Sequence, residues 1–308
     1  MCGSARTLPP WIPGANVGRP MTIRDLGYKP YEGERLPASH NTVVLLRQAM
    51  RRAWSSWLVK LSVFLGLGPL LVFGAIYLVY TFVLARGTNS GSPPFDAGAF
   101  VRDLVRWQTW LFVLPVTLGA GAGAIAEDLT FKAFHFYFAK PVTPPQYLAG
   151  RVGAVATYAF AVTFVPAVAL VVLMTALGPE TPELRLERAG LTLPALLQCA
   201  LVALSTGTLS IAVSSLSKSR ALTMSAWILL FVVPHVIAKL VDLVGDFDWL
   251  YLGSVPGLLS IIGEALFKTT REDPSPLRWY HAAPVLAALS AGGAWLALER
   301  LRRAEIIA

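Results

Sequence analysis

Apolar residues in this chain come in long blocks separated by short polar stretches. Blocks at 57–84, 105–126, 147–177, 191–213, 221–240 and 282–298 are almost free of charge in their interiors. At about 1.5 Å of rise per residue, roughly 20 apolar residues cross a hydrocarbon layer of about 30 Å. The pattern predicts an all-α integral membrane protein with six transmembrane helices. Residues 57–308 form one membrane domain, with no room for a separate soluble domain.

The polar segments differ in kind. Residues 1–40 carry six prolines and no apolar run of signal-peptide length, so they are expected to form a cytoplasmic extension. Met21 is an alternative start within it. Residues 41–56 read as an amphipathic helix with Asn41 as N-cap. Val44, Leu45, Met50 and Trp54 lie on one side and Arg47, Arg51 and Arg52 largely on the other. That composition suits a helix lying in the membrane interface, although a cytoplasmic extension of the next span fits as well. The run Gly119-Ala-Gly-Ala-Gly-Ala124, with Gly119, Gly121 and Gly123, marks a place where another helix backbone comes close. Residues 180–188 read as a charged loop. Residues 249–267 are apolar, but Pro256 and Gly257 interrupt them, so a re-entrant or interfacial helical hairpin is expected before span six.

Composition agrees with lipid solvation: 55% of the residues are hydrophobic and only 14% charged, where soluble domains carry about 25%. The net charge of +8 does not form one patch, so no nucleic acid is expected as a partner. Lysine and arginine instead gather at span ends. With the N-terminus inside, 17 of the 26 fall on the cytoplasmic side, which also places the C-terminus there. Cys2 and Cys199 are too few and too differently placed for a disulfide or a metal site.

The connection between spans two and three is the most informative stretch. Phe131, Phe134 and Phe138 fall at i, i+3 and i+7, one stripe of a short helix, with Asp128, Lys132 and His135 opposite. Glu127 and Asp128 sit in the first turn, where carboxylates favour the helix dipole. Lys140 occupies the last turn and Pro141 stops the helix. The aromatic stripe can dock into a groove on a soluble partner, or rest on the lipid interface.

The pattern Ala126-Glu127, a dozen helical residues, Lys140-Pro141-Val142 and Tyr147-Leu148-Ala-Gly-Arg151 resembles the coupling segment of ABC transporter permeases of the ABC-2 (exporter) type. Tyr28-Lys-Pro-Tyr-Glu-Gly-Glu-Arg35 with the helix 41–56 is similar to that family's approach to the membrane. The six-span layout and the broken hairpin match too. The resemblance implies a coupling helix at 127–138 seated in a cytoplasmic ABC ATPase subunit, present in two copies. It also implies an elbow helix at 41–56, a second permease copy of the same or a related chain, and a plasma (inner) membrane location. ATP and Mg would belong to the ATPase, with no cofactor bound by this chain. The strongly aromatic rod departs from the family pattern.

The sequence contains no phosphate loop and no His-Glu-x-x-His or Gly-x-Ser-x-Gly motif, so no catalysis is expected. His40, His135, His235 and His281 are scattered. Deep ionisable residues would mark ion coupling, and His235 and Lys239 near the outer end of span five are the nearest cases. An ion-coupled carrier and a non-transporting scaffold or mechanical relay are the competing expectations.

Overall fold

Prolines and glycines decide where the helices begin and bend. The computed structural model describes residues 40–84, 96–131, 142–177, 181–245, 247–269 and 277–307. The expected extension before residue 40 lies outside them. Span one is two helices, α2 (Trp57–Leu65) and α3 (Gly68–Val79), separated at Gly66 and Leu67 with Pro69 opening the second. The break exposes a carbonyl at Gly66, and Gln108 Nε2 donates to it at 2.7 Å. A buried amide thus satisfies backbone that lipid could not.

Span two begins as α4 (Ala97–Gln108), capped by Asp96, whose side chain accepts from the Gly98 amide at 2.8 Å. Two π turns follow, Thr109–Val113 and Thr117–Gly121, on either side of Leu114-Pro115-Val116. The span ends in α5 (Ala124–Thr130). Span three is α6 (Pro144–Ala176), which starts on a capping box: the Gln146 side chain accepts from the Thr143 amide at 3.1 Å. α7 (Pro182–Gly190) leads into α8 (Thr192–Ser214), and α9 (Arg220–Asp242) forms span five. A 3-10 turn, Asp248–Gly253, precedes α10 (Val255–Leu266), and α11 (Trp279–Ile307) closes the chain.

Six helical stretches are long and apolar enough to cross a membrane: Trp57–Phe82, Ala97–Thr130, Pro144–Ala176, Pro182–Ser214, Arg220–Asp242 and Trp279–Arg303. Every element among the described residues is helical. Spans two and four form the interior, with 56% and 67% of their most apolar windows buried, against 22%, 22% and 17% for spans one, five and six. The rim therefore carries exposed Phe64, Leu71, Leu229 and Trp295. Lipid tails solvate such a rim; water would not. α6 packs along both α8 and α1.

Three expectations change. Residues 182–190 are helix and not loop, because Arg188 turns inward and donates to the Tyr77 hydroxyl at 2.7 Å and the Met174 carbonyl at 3.2 Å. Span two starts eight residues early, since Val101, Leu104 and Val105 give α4 a buried face while Arg102 and Arg106 pair with Asp103. The interruption within residues 249–267 falls at Ser254, two residues ahead of Pro256, so that Pro256 and Gly257 open the helix after it: Ser254 Oγ accepts from the Gly257 amide at 3.1 Å, and proline fits the first turn. The 12 residues of α10 reach only about 18 Å, too short to cross.

Candidate functional site: a charged junction at one end of four spans

α5 is held at both ends. Its first amides, Ile125 N and Ala126 N, donate to Ser214 Oγ of α8 at 2.9 and 3.1 Å. A hydroxyl from another helix therefore serves where an N-cap side chain normally does, because Gly123 at the N-cap has none. Toward its C-terminus Thr130 Oγ1 lies within hydrogen-bonding distance of the Ala126 and Lys218 carbonyls. Replacing Ser214 with alanine strands two buried donors at a cost of about 1–3 kcal/mol. The expected reading is a lower thermal midpoint in detergent; an unchanged midpoint would remove Ser214 from the account.

Between these anchors stand Glu127 and Asp128. Asp128 has a side chain only 3% exposed. Its Oδ1 accepts from Arg52 Nη1 at 2.7 Å, and its Oδ2 accepts from the Tyr147 hydroxyl and from Arg151 Nη2. Tyr147 and Arg151 lie one turn apart on α6, with Arg151 Nε donating to the same hydroxyl at 3.2 Å. Glu127 accepts from Arg52 Nη2 at 2.5 Å and from Arg220 Nη1 at 2.7 Å. Two carboxylates thus join α1, α5, α6 and α9. Burial by itself would lower the pKa of Arg52, outside the spans. The hydrogen bond and charge of Asp128 and the hydrogen bond of Glu127 outweigh that, and the repulsion of Arg151, and raise it above its ordinary value. Arg52 is permanently charged.

Beside the junction is a cavity of about 180 Å³. Arg52, Arg151, Arg220 and Glu127 supply its charged wall. Gly119, Ala120, Gly123 and Ala124 of span two, with Ser55 and Ser56 ahead of α2, also line it, and alanines of α1 and α6 make up the rest.

The expected coupling residues separate. Glu127 falls in the first turn of α5, but Asp128 does not face outward: three donors surround it inside the bundle. The described helix starts at Ala124 and ends at Thr130, and Phe131 follows as its C-cap, 75% exposed. Lys132, Phe134, His135, Phe138, Lys140 and Pro141 lie outside the described residues.

On α1 (His40–Ser55), Arg47 and Arg51 are exposed, whereas Arg52 turns into the junction. The face that meets α6 is Leu45, Ala49 and Ala53, while Val44 and Trp54 stay exposed, Trp54 stacking on Tyr158 at 6.1 Å. The two helices approach closely because α6 offers Gly150 and Gly153 beneath Leu45 and Leu46: a Cβ there would stand 2.9 Å from Leu45 and 3.0 Å from Leu46. In span two, a Cβ on Gly119 would stand 2.6 Å from Ser56 Oγ, one on Gly121 2.9 Å from Ser210 Cβ, and one on Gly123 2.9 Å from Arg220 Cγ.

Tyr147, Arg151, Ser214 and Arg220 are the members that sequence reasoning did not assign to the site. The available signal was electrostatic. Two adjacent carboxylates at the end of an apolar block require cations, and Arg151 and Arg220 stand at the starts of two other blocks. No protein-family model matches the chain, and no curated protein matches it.

Proposed function

We propose that this chain is the transmembrane permease subunit of an ATP-driven exporter of the ABC-2 type. In this reading the N- and C-termini are cytoplasmic and the junction faces the cytosol of the inner membrane. Two six-span copies flank one pathway, and a separate ABC ATPase, also in two copies, carries ATP and Mg. α1 is the elbow helix at the interface, α10 with the 3-10 turn is the short outer hairpin, and the chain performs no catalysis itself.

The observation that supports this reading is the rooting of α5. The segment that follows it begins with an exposed Phe131, and α5 is tied by Glu127 and Asp128 to three other helices. A push on the aromatic segment from a soluble neighbour therefore reaches α1, α6 and α9 together. Buried pairs transmit such a push well, because separating them leaves an uncompensated charge in a place of low dielectric. The arrangement disfavours an ion-coupled carrier, since the buried carboxylate sits at the ends of the spans and is already matched by two guanidinium groups.

The test uses the tagged full-length chain purified from its native membranes. Mg-dependent ATPase activity is expected to co-elute with it and to be lost in Phe131→Asp and Phe134→Asp, with both variants still inserted and eluting as the wild type does. Absence of any co-eluting ATPase from the wild type, or its full retention by both variants, would sink the proposal.

A further inference from the structure

The charged junction contains three guanidinium groups and two carboxylates, so the cluster carries an excess of one positive charge. Glu127 is shared between Arg52 and Arg220, and Asp128 between Arg52 and Arg151. All three arginines line the same cavity of about 180 Å³. A single water needs only about 10–15 Å³ on that measure, so the space admits a polyatomic anion.

The remaining wall suits the same ligand. Gly119, Ala120, Gly123 and Ala124 present almost no side chain. Ser56, which also lines the cavity, is the N-cap of α2 and makes no capping bond with its side chain. Guanidinium groups in a fixed fork, with a hydroxyl beside them, match the several oxygens of a phosphate better than they match a single-atom anion.

We propose that this cavity seats a phosphate group, and that a phospholipid headgroup supplies it. The position favours lipid over a free ion. The cavity lies where span one begins at Trp57, span two ends at Thr130, span three begins at Pro144 and span five begins at Arg220. Those four ends define one face of the membrane domain, at headgroup depth. Following Ser56 along span one, Trp57 and Phe64 are 69% and 71% exposed, apolar surface that an acyl chain can cover. Basic pockets between helices at such a depth recognise anionic headgroups. The inference needs the membrane location but not the ATPase partner, so it stands or falls separately from the exporter reading.

Native mass spectrometry of the full chain in micelles doped with equal phosphatidylglycerol and phosphatidylcholine tests it. Preferential retention of phosphatidylglycerol is expected. Arg220→Gln removes one guanidinium and should weaken retention about tenfold, the loss of one charge-assisted hydrogen bond. Glu127→Gln removes the competing carboxylate and should strengthen it, an outcome that mere damage to the fold would not produce. Retention that withstands millimolar inorganic phosphate supports the lipid source. Binding of inorganic phosphate with no lipid retained would overturn that source, and equal retention of both lipids by the wild type and both variants would overturn the site.

Discussion

Asp128→Asn is expected to lower the stability of the assembled bundle by about 3–5 kcal/mol, the cost of removing one partner from a buried ion pair. The carboxylate is 3% exposed and Arg151 is 9% exposed, so the arginine left behind has little access to water. Arg52, 38% exposed, can reach solvent and contributes less. Glu127→Gln should cost only about 0–1 kcal/mol, because its second partner Arg220 is 49% exposed and the pair behaves as a surface one. Denaturation in a fixed detergent compares the two directly. Adding Arg151→Gln to Asp128→Asn should recover much of the loss, since the double variant buries no unmatched charge. Equal costs for Asp128→Asn and Glu127→Gln would mean that burial does not distinguish the two carboxylates.

The second large effect is expected at Gly150, where α1 rests on α6. A Cβ there would stand 2.9 Å from Leu45 Cβ and 3.2 Å from the Leu46 amide nitrogen, which is backbone and cannot swing away. Gly150→Leu must therefore move α1, at a cost of about 1–3 kcal/mol for the overpacking alone. The displacement also draws Arg52 away from Asp128 and Glu127, so the loss exceeds that figure. Hydrogen exchange should accelerate along residues 40–55 while the spans keep their protection. Unaltered exchange over that segment would show that α1 does not depend on this contact.

The six spans could be read from the sequence because lipid imposes a minimum apolar length that nothing else in a chain of this kind satisfies. The inward face of α1 could not. The amphipathic pattern gave Val44, Leu45, Met50 and Trp54 one apolar side, yet the residues α1 buries are Ala49 and Ala53, since helix pairs in lipid choose close approach over hydrophobic area. The charged junction was only half legible. Glu127 and Asp128 were visible as a pair, but their partners Arg52 and Arg220 lie 75 or more residues away, and periodicity carries no information over that distance. α7 was missed for a related reason: Glu183, Arg185, Glu187 and Arg188 read as loop polarity, while the burial of Arg188 depends on Tyr77, 111 residues earlier.

The two π turns of span two settle which way its last residues point. Each admits one residue beyond the α repeat, and one residue subtends about 100° around a helix axis. Together, between Gln108 and Ala122, they swing the far end of the span by about 200° from the direction an unbroken helix would give it. On an unbroken helix Asp128 would point roughly the opposite way, about 200° from Tyr147 and Arg151. The angular phase that brings opposite charges together at the membrane face is thus set several turns away, in the stretch around Pro115. Loss of a single residue there would rotate the carboxylate out of reach without touching any of its partners.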